Sequence, residues 1–480
     1  MNRILCILAA AAMISCNRTP RTVSASSEGA GSRVISNTGS GPILSYADTV
    51  DKVAPAVVTV RATNRVRAPQ TFQFFDEPFF QQFFGGNAPR VPQTTIQHDL
   101  GSGVAVRADG YILTNHHVID GAEDIKVDLS NGQTYSARLV GSDAPSDLAV
   151  LRITASNLPV LPVANSDQVR VGDVCLAVGN PMGIGETVTS GIVSAKGRST
   201  EVGTGSFQDF LQTDAPINQG NSGGALVNTR GELIGINSQI LTPNGGNIGI
   251  GFAIPSNMAR TVMNDLIEKG KVQRAMLGVS VQKLTPDLVS GLGLKSSQGV
   301  LIGGVAPGGP AAKAGLQTGD VILKVNGRDE KDPNSLRNEI AAMAPGTDVT
   351  ISIVRNNSQQ DVHVKLGELT PETGSSKQPG GGESAGTGRL GVSVAALTPD
   401  VARQVGVPAG THGVVVAQVD PGGPADQAGI RTGDIIQQVN RQPVHSPAEL
   451  RSALSASKGQ APLLLVNRGG ATSFVVISPQ

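Results

Sequence analysis

The sequence predicts a mainly β protein built from one large domain followed by two copies of a smaller one. The 480 residues include 60 glycines and 29 prolines but no tryptophan, a composition that favours short strands and turns over helical bundles. From residue 45 to about residue 270, short β-rich segments are separated by turn signals such as Asp109-Gly110 and Asn131-Gly132. Beyond residue 270, one long pattern occurs twice.

The N-terminal residues indicate export and are not expected to belong to the fold. Arg3 precedes an apolar run over residues 4–14, which has the length of a signal peptide and is too short to span a bilayer. Two cleavage sites stay open. Met13-Ile14-Ser15-Cys16 is similar to a bacterial lipobox with Met13 in place of the usual leucine, and would make Cys16 a lipidated N-terminus. Val23-Ser24-Ala25 instead suits ordinary signal peptidase.

The net charge limits the binding partners that are expected, and the cysteine content limits the possible disulfide bonds. Equal numbers of basic and acidic residues, 38 of each, give a formal net charge of zero, so neither nucleic acid nor an anionic membrane surface is expected as a partner. Membrane contact is expected only through a lipid anchor at Cys16. Beyond the leader the sequence holds one cysteine, Cys175, in the apolar residues 174–178. This pattern predicts a buried strand and no intramolecular disulfide.

A glycine-rich pentapeptide supplies the first candidate for catalysis. In Gly220-Asn221-Ser222-Gly223-Gly224 the glycines let the backbone turn tightly around Ser222. The N–H groups of Gly220 and Ser222 can then converge on one oxygen, as stabilisation of a tetrahedral intermediate requires. Taken alone, the pentapeptide is also compatible with a tight turn that carries an incidental serine.

A serine nucleophile needs a base, and two further segments offer the groups. Leu113-Thr114-Asn115-His116-His117-Val118 follows a strand-like segment and puts two adjacent histidines at its end. Ser146-Asp147-Leu148 puts a carboxylate directly before an apolar strand, where an imidazole could cover it. Each segment alone has an ordinary structural explanation, because an aspartate before a strand is a common turn residue.

Taken together, in the order His, Asp, Ser, the three segments resemble trypsin-like serine proteases of the HtrA/Deg family. The family patterns Thr-Asn-x-His-Val, Ser-Asp-(Ile/Leu)-Ala and Thr-Asp-Ala-x-Ile-Asn-x-Gly-Asn-Ser-Gly-Gly match at residues 114–118, 146–149 and 213–224. The resemblance covers nearly the whole chain beyond the leader. It implies a trypsin-like double β-barrel protease domain followed by two PDZ domains, each a small α+β partly open barrel.

The resemblance also implies a role for each residue of the site. His117 rather than His116 is the base, Asp147 holds its tautomer, and Ser222 is the nucleophile. The N–H groups of Gly220 and Ser222 bind the oxyanion, with Asn221 assisting. No metal and no other cofactor is implied.

The sixth residue before Ser222 bears on specificity. Trypsin-like enzymes that cleave after Lys or Arg have an acid there, and this sequence has Pro216. By resemblance, Ile236, Asn237 and Ser238 line the primary pocket. A pocket without an acid is expected to accept small or medium apolar side chains such as those of Val, Ile and Ala.

Seven of the 11 phenylalanines crowd into residues 72–84, a segment without a steady strand period: Phe72, Phe74, Phe75, Phe79, Phe80, Phe83 and Phe84. So many rings on a loop are not expected to stay in water, and they should contact another subunit, a client protein or the PDZ domains. In the HtrA family the corresponding loop reaches the active site of a neighbouring subunit. We therefore expect an oligomer contact here and a homo-oligomer built from trimers.

The second half of the chain contains an internal repeat. Leu277-Gly278-Val279 recurs as Leu390-Gly391-Val392, and the repeats are about 114 residues apart, as Pro307 is from Pro421. Each copy resembles a PDZ domain, in which these triplets form the carboxylate-binding loop and the next strand receives a peptide by β-augmentation. Arg274 and Arg389 are candidate partners for the peptide's C-terminal carboxylate. Alternatively, one or both copies serve as spacers or assembly contacts.

The predicted division of the chain is a signal peptide over 1–16, a flexible tether over 17–44, a protease domain over 45–270, a first PDZ domain over 271–370, a linker over 371–387 and a second PDZ domain over 388–480. The predicted function is that of an ATP-independent periplasmic serine endoprotease, soluble or tethered through Cys16. It degrades misfolded or unfolded envelope proteins and binds their C-terminal peptides. The alternative is a chaperone-type scaffold in which proteolysis is secondary.

Overall fold

The computed structural model describes residues 45–67, 94–180, 186–200, 206–218, 220–240, 248–369, 390–408, 410–457 and 461–477. The chain divides into two compact units, Met1–Ala47 and Asp48–Gln480, and the sheets formed by the described residues lie in the second. Several predictions fall outside the described residues. They are the leader with Cys16, the tether, the phenylalanine-rich segment over 72–84, the linker over 371–387 and Arg389.

Seven antiparallel strands form the first sheet: β1 (Val57–Arg67), β2 (Thr94–Arg107), β3 (Tyr111–Thr114), β4 (Asp124–Asp128), β5 (Thr134–Ser136), β6 (Arg138–Asp143) and β7 (Leu148–Arg152). Their order in the sheet is β5-β4-β1-β2-β3-β7-β6. Two short helices accompany them, α1 (Ala47–Val53) and α2 (His116–Ile119). Val58, Val60, Ile112 and Leu151 are completely buried in the core of this half, and the residues Val57–Val60 of β1 and Leu148–Leu151 of β7 are buried on both faces of their strands.

Six antiparallel strands close into a barrel in the second half: β8 (Val174–Gly179), β9 (Thr187–Arg198), β10 (Phe210–Thr213), β11 (Ala225–Asn228), β12 (Leu233–Ile240) and β13 (Gly251–Pro255). Cys175 lies on β8 and is fully buried, as its apolar neighbours predict. Helix α3 (Ser256–Lys269) follows the barrel and buries Ala259, Val262 and Leu266, which recur at helical spacing. It ends at Gly270, whose φ of +70° is typical of a glycine helix stop.

The first repeat domain follows, with the strands β14 (Ala275–Met276), β15 (Val279–Lys283), β16 (Val300–Val305), β17 (Val321–Val325), β18 (Arg328–Asp329), β19 (Asp348–Arg355), β20 (Ser358–Lys365) and β21 (Gly367–Glu368). Its helices are α4 (Pro286–Leu292), α5 (Pro310–Lys313) and α6 (Pro333–Ala341). The main sheet has the order β15-β16-β17-β19-β20, so that β15 is an edge strand among the described residues.

The second repeat domain has the same plan, with β22 (Val392–Ala396), β23 (Val414–Val419), β24 (Ile435–Val439), β25 (Gln442–Pro443), β26 (Leu463–Arg468) and β27 (Ala471–Val476). Its helices are α7 (Pro399–Gln404), α8 (Pro424–Gln427) and α9 (Pro447–Ala456). The sheet order is β22-β23-β24-β26-β27, with β25 paired to β24. The predicted mainly β architecture is therefore confirmed.

The dipeptide Gly319-Asp320 of the first repeat recurs as Gly433-Asp434 in the second, and the aspartate has the same structural role in both. Asp320 is buried and accepts two hydrogen bonds from the Arg355 guanidinium, which also donates to the Gly315 carbonyl. In the second copy, Asp434 is held by Arg468 in the same way. A buried carboxylate requires a counter-ion. Both copies of the domain therefore contain the arginine as well as the aspartate.

Candidate active site

His117 and Asp147 meet in a cleft that both halves of the protease region line. His117 lies on the short helix α2, directly after β3, and Asp147 lies directly before β7. The imidazole Nδ1 is 2.9 Å from each carboxylate oxygen of Asp147. The backbone N–H of His117 also donates to Oδ1 of Asp147, at 3.0 Å. These bonds fix both the orientation of the ring and the nitrogen that faces the carboxylate.

Asp147 has an unusual backbone conformation. Its φ of +56° is in the left-handed region, which costs energy for a residue with a side chain. The 3₁₀ turn Ala144–Ser146 precedes it, and the side chain of Asp143 caps this turn by accepting from the Ser146 N–H. The Asp147 carbonyl accepts from the Asn115 side chain at 3.0 Å and from the His116 N–H at 3.2 Å. The surrounding hydrogen bonds therefore maintain the strained conformation.

Ser222 opens on the same cleft as His117. Its hydroxyl donates to the backbone carbonyl of Ser238 at 2.9 Å. A hydroxyl has a single proton, so in this structure that proton does not point to the imidazole. The Ser238 hydroxyl donates to Oδ2 of Asp147 at 2.9 Å. Ser238, expected only as a pocket residue, thus contacts both the serine and the aspartate.

The glycines of the pentapeptide are required by close packing. Gly220 and Gly223 have positive φ values, +96° and +83°. A Cβ atom at Gly223 would be 2.1 Å from the carbonyl oxygen of Ser102, so no other residue fits there without movement. Asn221 is almost fully buried with its side chain against Gly179, rather than among the residues that line the cleft.

The motif Gly101-Ser102-Gly103 contributes to the site from the first half of the protease region. It lies within β2 and contacts the Ser222 loop. The Ser102 hydroxyl is buried, donates to the Gly220 carbonyl at 2.6 Å and accepts from the Asn180 N–H at 2.9 Å. Ser102 therefore joins two loops of the six-stranded barrel, a role that no local pattern indicates.

The cleft has a volume of about 580 Å³ and a partly apolar wall. Phe210, Ile217 and Ile240 are among the residues that line it, and Asp147 is the one carboxylate among those described. Ile236 and Asn237, expected in the pocket wall, are fully buried, and the Asn237 side chain donates to the Ala225 carbonyl. Of the three residues expected there, only Ser238 lies at the cleft.

Three family models match the chain, a trypsin-like peptidase domain over residues 101–236 and PDZ domains over 275–366 and 415–468. Two curated relatives are similar over most of their length. The periplasmic pH-dependent serine endoprotease DegQ of Escherichia coli K12 is 41% identical over 438 residues, which is 91% of this chain and 92% of the relative. A probable periplasmic DegP-like serine endoprotease of Chlamydia trachomatis is 41% identical over 438 residues, 91% of this chain and 86% of the relative.

The chain belongs to the HtrA family of serine endoproteases. A solved structure of the HtrA-type protease AlgW with a decapeptide is 46% identical, with a TM-score of 0.55, and the match covers 68% of this chain and 100% of that one. The family match and the trypsin-like peptidase domain show that the protein is a serine endopeptidase. In the described part of the chain, none of the helices combines the length and apolar character needed to cross a membrane.

The first PDZ domain has the expected loop before its edge strand. Gly278 has a φ of +78°, and its carbonyl accepts from the Ala306 N–H, while the Leu277 carbonyl accepts from the Ala311 N–H. The second PDZ domain repeats this arrangement before Val392, because Gly391 has a φ of +69° and accepts from Asp420, and Leu390 accepts from Ala425. The repeated sequence triplets therefore adopt one loop structure.

Arg274 does not occupy the position expected of a free carboxylate partner. It is 9% exposed, and its guanidinium makes two hydrogen bonds to Asp143 of the protease domain, at 2.8 and 2.5 Å. The guanidinium also lies over the ring of Phe207, 4.5 Å from its centroid. Its charge is thus neutralised within the chain, and sequence reasoning could not foresee a partner 131 residues away.

Proposed function

We propose that Ser222 is the nucleophile, His117 the general base and Asp147 the group that orients it. The observation that supports this most directly is the imidazole held by Asp147 in the cleft onto which the Ser222 hydroxyl opens. The N–H groups of Gly220 and Ser222 are proposed to bind the oxyanion. Because the carboxylate holds Nδ1, the other ring nitrogen of His117 is left to take a proton.

The proposed reaction begins when the Ser222 hydroxyl turns from the Ser238 carbonyl towards the imidazole. Its oxygen attacks the carbonyl carbon of the substrate peptide while His117 takes the proton. The C–N bond then breaks and His117 returns the proton to the leaving amine, which leaves an acyl-enzyme. Water, deprotonated by His117, hydrolyses the ester and restores Ser222.

The proposed substrates are misfolded or unfolded envelope proteins, cleaved after small or medium aliphatic residues. The lining of the cleft supports this preference, because it contains Phe210, Ile217 and Ile240 and no described carboxylate other than Asp147. The periplasmic location of the similar proteases and the N-terminal leader of the sequence support a periplasmic location for this chain. Binding of C-terminal peptides by the PDZ domains is proposed on the loop geometry of Gly278 and Gly391.

A β-casein assay tests the catalytic proposal. Wild type should cleave β-casein, more quickly with a peptide that has a hydrophobic C-terminus, and Ser222→Ala should not cleave under either condition. Ser238 is not a nucleophile in this scheme, so Ser238→Ala should keep measurable cleavage. If no Ser222-dependent cleavage occurs with or without the peptide, the chaperone-type scaffold becomes the better function. The assay is run both with and without the peptide because, in this structure, the Ser222 hydroxyl donates to the Ser238 carbonyl rather than to His117.

Specificity is tested with two peptides that differ only at the residue before the cleaved bond. A peptide with Val there should be cleaved faster than one with Lys, since the cleft offers a lysine ammonium no described carboxylate other than Asp147, which is already bonded to His117. Faster cleavage of the Lys peptide contradicts the proposed preference.

Three finer features are proposals on the sequence alone. They are the domain limits 45–270, 271–370 and 388–480, a homo-oligomer built from trimers, and a choice between a lipid anchor at Cys16 and ordinary cleavage. Mass spectrometry of the mature N-terminus decides between the two cleavage sites. Deletion of residues 72–84 should change assembly size or activity, and no change in either would contradict an oligomer contact there.

A further inference from the structure

One continuous cleft, with a volume of about 720 Å³, runs along the peptide-binding edge of the first PDZ domain. One side of it is formed by the first PDZ domain itself, through Leu277, Val279, Val281, Leu336 and Ile340. The other side is formed by the second PDZ domain, through Gln437, Asn467, Gly470, Ala471 and Thr472. The cleft is therefore composite, and a ligand in the first PDZ domain would lie beside residues of the second.

The two faces of β15 explain this arrangement. Val279 and Val281 pack against the core of the first PDZ domain, the core to which Leu336 and Ile340 of α6 belong. The residues between and after them, Ser280 and Gln282, point to the opposite face, because side chains alternate along a strand. That opposite face carries the strand β27 of the second PDZ domain.

Hydrogen bonds fix β27 on this face. The Ser280 hydroxyl donates to the Thr472 carbonyl at 2.8 Å. The Gln282 side chain makes two bonds to Phe474, donating to its carbonyl at 3.0 Å and accepting from its N–H at 2.7 Å. The side-chain amide of Gln282 thus bonds both backbone groups of Phe474, as the backbone of a neighbouring strand would.

Close packing supports the same contact. A Cβ atom at Gly304 of β16 would be 1.8 Å from the Thr472 hydroxyl oxygen, so glycine at this position permits the approach. Leu288 and Leu292 of α4 form a buried cluster with Leu463 and Phe474 of the second PDZ domain. The guanidinium of Arg441 donates to the Leu292 carbonyl at 2.6 Å.

We propose that the hairpin of β26 and β27, through Asn467, Gly470, Ala471 and Thr472, forms a second wall of the peptide site and reads alternate residues of the peptide bound to the first PDZ domain. This inference rests on the proposed binding of C-terminal peptides by β-augmentation along β15. It assigns to the second PDZ domain a part in recognition by the first, in addition to the peptide binding proposed for its own loop at Gly391.

Strand alternation specifies which peptide residues meet each wall. A peptide added to β15 directs every second side chain towards α6 and the others towards the face that carries β27. With the terminal side chain in the apolar pocket of Leu277 and Ile340, the side chain two residues before it also faces α6. The side chains one and three residues before the terminus then face Ala471 and Thr472.

The chemistry of the second wall indicates what it accepts. Its residues are small or polar and uncharged, and Ala471 is exposed. The preferred partner is therefore a polypeptide C-terminus with an apolar last residue and small or polar residues one and three positions earlier. An uncharged wall gives little charge discrimination at these positions, so a charge introduced at Ala471 should create it.

The test uses the full chain with Ser222→Ala, so that bound peptides are not cleaved. Fluorescein-labelled peptides that end in Val carry Lys or Glu at one of the three preceding positions, and fluorescence anisotropy measures their dissociation constants. Ala471→Glu should favour Lys over Glu one and three residues before the terminus by about fivefold, the effect of a partly exposed ion pair. Ala471→Lys should reverse the preference, and the ratio two residues before the terminus should stay as in the parent.

Gln442→Glu and Gln442→Lys provide matched controls, because Gln442 is exposed on β25 of the same domain and lies outside the cleft. They should leave every ratio unchanged. Suppose that the parent binds the peptides but the Ala471 variants leave every Lys-to-Glu ratio of dissociation constants unchanged, or change the ratio two residues before the terminus as much as the others. The proposed second wall is then contradicted, while peptide binding by the first PDZ domain stands. If the parent binds none of the peptides, the peptide site itself is wrong and the second wall with it.

Discussion

Arg274, at the start of the first PDZ domain, and Asp143 of the protease domain form a buried ion pair with two hydrogen bonds, at 2.8 and 2.5 Å. The side chains are 10% and 8% exposed. Asp143 also caps the turn Ala144–Ser146, which directly precedes Asp147. One carboxylate thus contacts both the PDZ domain and the turn that holds the proposed orienting aspartate.

Arg274→Met should therefore reduce activity at a distance from the cleft. Removal of one partner leaves the Asp143 charge buried without its counter-ion, which costs about 3–5 kcal/mol in such sites. We expect a fall in kcat/KM of about tenfold or more on a short peptide substrate. Asp143→Asn in the same chain should restore part of the activity, because the unpaired charge is then removed.

Arg61→Met is the matched control for this pair. Arg61 and Asp128 form a similar two-bond pair, but their side chains are 46% and 27% exposed. Exposed pairs contribute at most about 1 kcal/mol, so kcat/KM should stay near that of wild type. Equal losses in the two variants would contradict a specific role for Arg274.

Ser102→Ala should lower the turnover number more than it changes KM. The substitution removes the bond to the Gly220 carbonyl and the bond from the Asn180 N–H, and so loosens the loop that carries Ser222. A misplacement of about 1 Å in an active site costs on the order of a hundredfold in rate, and we expect a fall in kcat of about 10- to 100-fold. The rate of Ser222 labelling by a fluorophosphonate should fall in parallel.

Ser256→Ala separates this effect from a general loss of stability. Ser256 is equally buried and donates to the Ala164 carbonyl at 2.7 Å, but it does not line the cleft. Its substitution should lower the melting temperature without changing kcat. If both serine variants lose the same activity, Ser102 acts only through stability.

Glu330 predicts a pH-dependent stability of the first PDZ domain. Burial, together with the neighbouring Glu339 carboxyl, raises the pKa of Glu330 to about 8. The folded domain then holds a proton that the unfolded chain releases above its ordinary pKa of 4.5. Stability from this group is fully present below pH 4.5 and is lost as the pH rises through 8.

Glu330→Gln imitates the protonated carboxyl and should flatten this dependence. The variant should melt at a higher temperature than wild type at pH 9 and at a similar temperature at pH 4. Glu368→Gln, an exposed change in the same domain, should melt like wild type at both. If the melting temperatures of wild type and Glu330→Gln change with pH in the same way between pH 4 and pH 9, Glu330 is ionised in the folded domain.

Cys175 should be unreactive in the native protein. Burial raises the pKa of its thiol to about 11, so the thiolate that attacks disulfide reagents is scarce at pH 8. In a chain with Cys6→Ser and Cys16→Ser, a disulfide reagent should release no coloured product from the folded protein and one equivalent after denaturation. Rapid reaction of the native chain would mean that β8 opens readily.

Sequence reasoning succeeded where function depends on local pattern. The triplets repeated at Gly278 and Gly391 predicted one loop before a strand, and both adopt the same structure. It could not place Ser102 on the Gly220 carbonyl or Arg274 on Asp143, because these contacts join residues 118 and 131 positions apart and follow no period. The positive φ of Asp147 could not be predicted from the sequence either, since it depends on the surrounding hydrogen bonds rather than on the residue type.

The pairing of Gln282 with β27 has a consequence for assembly. An edge strand leaves unpaired backbone groups that other strands can bind, and here a glutamine side chain satisfies those of Phe474. These side-chain hydrogen bonds can break without the loss of any strand in either sheet. If the second PDZ domain separated from the first, the backbone groups of Phe474 on β27 would be exposed. They could then pair with an extended segment of another molecule, so the same backbone groups serve either the contact between the two domains or a contact between two chains.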